Sequence, residues 1–237
     1  MTKNDLYKES FKTLVNIGIE KDTEIYKYIG AGNPNSKILI VGKEGSCEVR
    51  EEEICFAKQW LTKIKNNEYV SFNEPNKLKE GHTWNKYQKL HDYIFDESKV
   101  YQRKEYFDFQ ERFFTTEMNI NRSKISKEAS KAGMHERKDT FFKSEFIQQF
   151  PVVILACGSY IKNNKKVREI DDIFGVEFDR EYKTDSLNPQ SFWTHYNSDK
   201  TKLVIHTRQL SMAVSDNLLI EMANVIKKQL SKINNEE

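Results

Sequence analysis

The chain has no excess of either charge. Against 38 Lys and Arg stand 36 Asp and Glu, a net +2 over 237 residues, so composition carries no general argument for nucleic acid and any basic surface has to be local. It has no paired cysteine pattern. Cys47, Cys55 and Cys157 are odd in number and widely spaced, with no CxxC or CxxH grouping, which argues against a structural zinc site and suits free thiols in a reducing compartment. No apolar run approaches membrane-spanning length, and the opening MTKNDLYKES has no apolar signal core, so a cytoplasmic protein without membrane contact is expected. There is no GxxxxGK phosphate loop, and neither Ser46 nor Ser159 sits in a GxSxG elbow. No repeat, low-complexity block or linker divides the chain. One domain over 1–237 is expected, with a helical lid over about 1–36 and a core over about 37–233; neither metal nor cofactor is called for.

What is present is a set of short, unbroken apolar runs. Ile38 to Val41, Val152 to Ala156 and Leu203 to Ile205 are apolar at every position, the pattern of strands covered on both faces. Arg112 to Thr116 reads as a further strand, and Val176 to Phe178 and Phe192 to Tyr196 as extended pieces. Between them lie helical spacings: Leu6 to Ile29, Val49 to Ile64, Trp84 to Ile94, Phe141 to Ile147, Val167 to Phe174, and a final helix capped by Ser215 with Leu218, Met222, Val225 and Ile226 on its buried side. Strands alternating with helices predict an α/β fold, a three-layer α/β/α sandwich on a mainly parallel sheet. Ser123 to Gly133 reads as a mobile connection, within a polar insert over about 123–138 to which the sequence assigns no role.

Three of these strands end in distinctive polar turns: Gly42-Lys43-Glu44-Gly45-Ser46, Glu117 to Asn121, and His206 to Ser211. If the strands are parallel, the turns share one sheet edge, where ligands of open α/β sheets bind. The order of the turns resembles the uracil-DNA glycosylase-like superfamily, whose first motif is a Gly-x-acid/amide turn after a buried strand and whose last is a His-Pro-Ser-type loop closing in Leu-Ser. The resemblance implies the uracil-DNA glycosylase-like variant of the fold and hydrolysis of the N-glycosidic bond of a flipped damaged or deaminated base, with DNA ahead of RNA as partner. It places Glu44 at the water-positioning residue and His206 at the catalytic histidine. It puts Asn119 or Asn121 at the base-reading amide, Leu210 at the wedge that fills the gap left by an extruded base, and Ser211 at the closing serine. Gly42 and Lys43 would line the substrate, and Arg208 would contact phosphate. Gly45 and Ser46 stand where the family usually has Pro and an aromatic residue, and Thr207-Arg208-Gln209 replaces Pro-Ser-Pro, which weakens the activity inference more than the fold inference.

Each residue has an ordinary reading as well. Glu44 is placed to cap a helix beginning near Cys47. His206 suits a core-edge histidine bonded to backbone, and Asn119 and Asn121 suit turn residues satisfying their own backbone. Trp84, Tyr87 and Trp193 have the spacing of core aromatics as much as of a stacking platform. The second functional class is a catalytically inactive protein of the same fold that binds nucleic acid or nucleotide through Lys43, Arg208 and the cluster Lys162, Lys165, Lys166 and Arg168, a cluster that reads equally as a solvated helix face.

Overall fold

The computed structural model describes residues 6–21, 23–45, 54–70, 82–100, 107–123, 125, 127–185, 187–211 and 213–236. Eight α-helices are described: α1 (Glu9–Lys21), α2 (Glu24–Lys27), α3 (Ala57–Asn66), α4 (His82–Phe95), α5 (Met134–Asp139), α6 (Glu145–Gln148), α7 (Glu169–Phe174) and α8 (Asp216–Glu236). Seven strands are described with them: β1 (Ala31–Gly32), β2 (Ile38–Gly42), β3 (Phe113–Glu117), β4 (Val152–Leu155), β5 (Glu177–Lys183), β6 (Ser191–Tyr196) and β7 (Leu203–Thr207).

The strands form one sheet in the order β1-β3-β2-β4-β7-β6-β5. Its middle four, β3, β2, β4 and β7, are mutually parallel. The flanking strands β1, β6 and β5 pair antiparallel, so the sheet is mixed, with a parallel centre. The division follows covering. β2 and β4 are buried at every residue and β7 at all but His206, whereas β5, at the free edge, is exposed almost throughout and carries Glu177, Asp179, Arg180, Glu181 and Lys183, charges that discourage pairing with another chain.

Alternate residues of the central strands enter two cores. Leu39, Val41, Phe114, Val153, Leu155 and Val204 pack under the layer of α1, α3, α6 and α7, with Phe11, Trp60 and Phe146. Ile38, Ile40, Phe113, Val152, Ile154, Leu203 and Ile205 pack under α4 and α8, with Leu90, Leu218 and Met222. Helices on both faces of one sheet make three layers. Trp60 anchors the first core; its indole N–H donates to the Gly30 carbonyl at 2.8 Å.

Local chemistry fixes the element ends. Ser215 Oγ accepts the Leu218 N–H at 3.3 Å, capping α8. Asn67 takes a left-handed φ of 51° to close α3. Ala31–Gly32 forms β1 with Gly30 and Gly32 running so close to β3 that a Cβ would meet the Thr115 or Phe113 carbonyl at 2.3 and 2.2 Å. Of the helix expected over Phe141 to Ile147 only the end forms: 141–143 is a turn, and Ser144, with an extended backbone, starts α6 at Glu145, while α5 lies earlier, within the polar stretch. Lys162, Lys165, Lys166 and Arg168 lie outside any helix, on an exposed turn held by Asn164 Oδ1, which accepts the N–H of Lys166 and of Val167. The expected start of the helix at Val49, and the cap near Cys47, fall outside the described residues. No helix among the described residues is long and apolar enough to cross a membrane.

Candidate functional site

Parallel register brings the strand ends together: Gly42 stands opposite Glu117, Val41 opposite Leu155, and Leu155 opposite His206. The segments leaving β2, β3, β4 and β7 therefore share one edge of the sheet. β4 leaves through a single 3-10 turn, Gly158–Tyr160, and that turn links the others.

Tyr160 is the hub. Its hydroxyl is hydrogen-bonded to the Glu44 carboxyl and to the Asn119 side chain. Burial, then Glu44, push the phenol up to about 12, so the hydroxyl stays protonated and donates to Glu44. Two ammonium groups flank the same ring, Lys43 Nζ and Lys131 Nζ, each 5.3 Å from its centroid. Glu44 and Asn119 are both buried. An acid from the first turn, an amide from the second and a tyrosine from the turn after β4 thus meet under a cationic rim.

Asn119 is held by its neighbours. Its Nδ2 donates to the Ser130 carbonyl at 2.9 Å, its side chain meets the Tyr160 hydroxyl, and Oδ1 accepts from Asn121 N and Nδ2, both at 3.1 Å. Two bonds fill the capacity of the amide oxygen. Asn121 Nδ2 also donates to the Ala132 carbonyl at 2.8 Å. These bonds tie the 130–132 stretch of the polar connection to the end of β3, where a mobile segment was expected, and they leave the Asn119 amide oxygen no lone pair for a base edge.

His206 belongs to the same edge but faces backbone. Its Nε2 donates to the Gly158 carbonyl at 2.9 Å, and its ring leans on Trp193, centroids 5.5 Å apart. Burial lowers its pKa, with the Gly158 bond opposing; the ring is neutral, with its proton on Nε2. Gly158 in turn lies against Lys43, 3.5 Å from a Cβ position to Lys43 Cε. Arg208 is exposed and Ser211 half-buried. Leu210 is fully buried in the second core; a wedge needs an exposed side chain, and Leu210 here is a core contact.

Two residues of this edge escaped the sequence reading as site groups. Tyr160 had no motif to mark it. Glu117 did lie in a strand-end turn, but its meaning depends on register. Its carboxyl lies over Gly42, with Oε2 buried and without a hydrogen-bond partner. Burial raises its pKa to about 7; Arg122 opposes this, Glu44 reinforces it and Arg137 opposes it. Arg122 lies against Gly45, 2.7 Å from the Cβ position there. Arg137 is buried, donating to the carbonyls of Glu117 (3.0 Å) and Ile25 (2.6 Å) and to Thr116 Oγ1 (3.0 Å).

Elsewhere, His91, Asp92 and Asp108 bring ligand atoms within 4.8 Å of one another. Gln88 Nε2 sits among them, 2.9 Å from Asp92 Oδ1 and 2.5 Å from Asp108 Oδ1. Backbone N–H groups of Asp108 and Phe109 hold Gln88 Oε1 and so fix the amide, placing a donor where a cation would stand. A cavity of about 600 Å³ opens at the opposite edge, beside Lys37, Ile38 and Arg112 at the strand starts. In comparisons with known proteins, no family model matches the chain and no curated protein matches it.

Proposed function

We propose that the chain hydrolyses the N-glycosidic bond of a nucleotide turned out of DNA, as the uracil-DNA glycosylase-like order of its strand-end turns implies. The observation that carries this reading is the Glu44–Tyr160–Asn119 cluster beneath Lys43 and Lys131. As the base departs, positive charge grows on the sugar; a buried carboxylate fixed by a tyrosine hydroxyl stabilises that charge and orients water. Lys43, Lys131 and Arg122 suit the flanking phosphates. His206 acts here as a positioning residue, holding the Gly158 turn that carries Tyr160.

The test is release of base from single-stranded and duplex oligonucleotides containing uracil, hypoxanthine, other deaminated bases or mismatches, read as abasic sites. Wild-type release that falls roughly 100-fold or more in Glu44→Gln supports the reading. No release from any of these substrates overturns it. A second reading, a DNA- or nucleotide-binding protein without catalysis, is favoured by the commitment of Asn119 and His206 Nε2 to internal bonds; salt-sensitive binding with no abasic product would decide for it.

A further inference from the structure

We propose that Glu117 is the general acid of this site, delivering a proton to the departing base, and that the substrate base is therefore one that leaves poorly as an anion, such as a purine or an aminopyrimidine. This rests on the hydrolase reading and extends it to the substrate class.

A glycosidic bond breaks only if the leaving nitrogen's electron pair is stabilised, either by donors facing an anion or by a proton. The imidazole and the amide that could face an anion carry internal bonds. His206 is neutral and its one N–H is on the Gly158 carbonyl; the Asn119 Nδ2 donates to the Ser130 carbonyl. Glu117 is differently placed. It ends β3 opposite Gly42, its carboxyl lies over Gly42 at the start of the first turn, and Oε2 is buried with no hydrogen-bond partner. The charged and titratable groups that act on it or feel it are Tyr28, Glu44, Tyr87, Arg122, Arg137 and Cys157. Their balance with burial raises its pKa to about 7. Two carboxyl groups on adjacent strand-end turns, each within reach of the other's charge, one raised toward neutrality and the other hydrogen-bonded by a tyrosine, have the division of labour of an acid and a carboxylate.

The step balances. The sugar carbon–nitrogen bond breaks with its electron pair going to the base, which takes the Glu117 proton and leaves neutral. Water adds to the sugar carbon and its proton passes to Glu44. Proton return from Glu44 to Glu117, directly or through water, restores the starting state.

The test compares Glu117→Gln with wild type on oligonucleotides carrying hypoxanthine, adenine, cytosine, uracil or 5-fluorouracil, with thermal melting as the folding control and Glu117→Asp as a second variant that keeps the acid. Expected are a loss of roughly 100-fold or more on the purine and cytosine substrates in Glu117→Gln, less than about 10-fold on 5-fluorouracil, whose anion leaves readily, and partial retention in Glu117→Asp. Wild-type release should fall as pH rises through about 7. Equal losses on good and poor leaving groups, or unchanged rates in Glu117→Gln, overturn the acid role while leaving the hydrolase reading standing. No release by the wild type overturns both.

Discussion

The Glu117 carboxyl lies across the Cα of Gly42. The two residues face each other in the parallel β2–β3 pair, and a Cβ on Gly42 would stand 2.2 Å from Glu117 Oε2. The glycine is required by this close approach, since its φ is not in the left-handed region.

Gly42→Ala is therefore expected to swing the Glu117 side chain aside, costing about 1 to 2 kcal/mol in urea unfolding. Base release should fall more than stability does, on the order of ten-fold, because the carboxyl leaves its place over Gly42 at the first turn.

Tyr160→Phe removes the hydroxyl shared by Glu44 and Asn119 but keeps the ring under Lys43 and Lys131. It should lower the turnover rate with little change in DNA affinity. Lys43→Ala and Lys131→Ala should do the reverse, each reducing the slope of log affinity against log salt by roughly 0.7 to 0.9 in a fluorescence titration.

Arg137 stacks on Phe141, 3.7 Å from the ring centroid, and satisfies three acceptors, the Thr116 hydroxyl buried and the Glu117 and Ile25 carbonyls partly so. Arg137→Ala strands all three, so a loss of about 3 to 5 kcal/mol in chemical denaturation is expected.

Glu117 also gives a signed pH dependence. Its pKa rises from 4.5 to about 7 on folding, so between those values the native state holds a proton that the unfolded chain has released. Its contribution to stability is complete below 4.5 and is lost as pH rises through 7. Glu117→Gln should match wild type near pH 4 and exceed it at pH 8 by on the order of 3 kcal/mol. His195 and His206, whose pKa values burial lowers, act with the opposite sign, losing stability as pH falls below about 6.5; they cancel in the difference between variant and wild type, measured by urea midpoints across pH 4 to 8.

The layered α/β arrangement was legible because burial on both faces leaves a direct trace: β2, β4 and β7 are apolar at successive positions, and a strand with one wet face could not be. The helix after Ser215 was legible because its cap and its buried stripe are local. The antiparallel flank was not. Nothing in Glu177–Lys183 or Ser191–Tyr196 fixes strand direction, which follows from the short connection between them and their pairing at the open edge of the sheet.

The candidate site divides along the same line. The chain order alone determined that acidic, amide and imidazole groups follow apolar strands, because strand ends and turns are written in local composition. Only the packed molecule decided their uses. Register set Glu117 against Gly42, the turn after β4 brought Tyr160 between Glu44 and Asn119, and core packing drew Leu210 inward. Hydrogen-bond capacity and burial belong to three-dimensional neighbours, and neighbours from four distant segments are fixed only when the sheet closes them onto one edge.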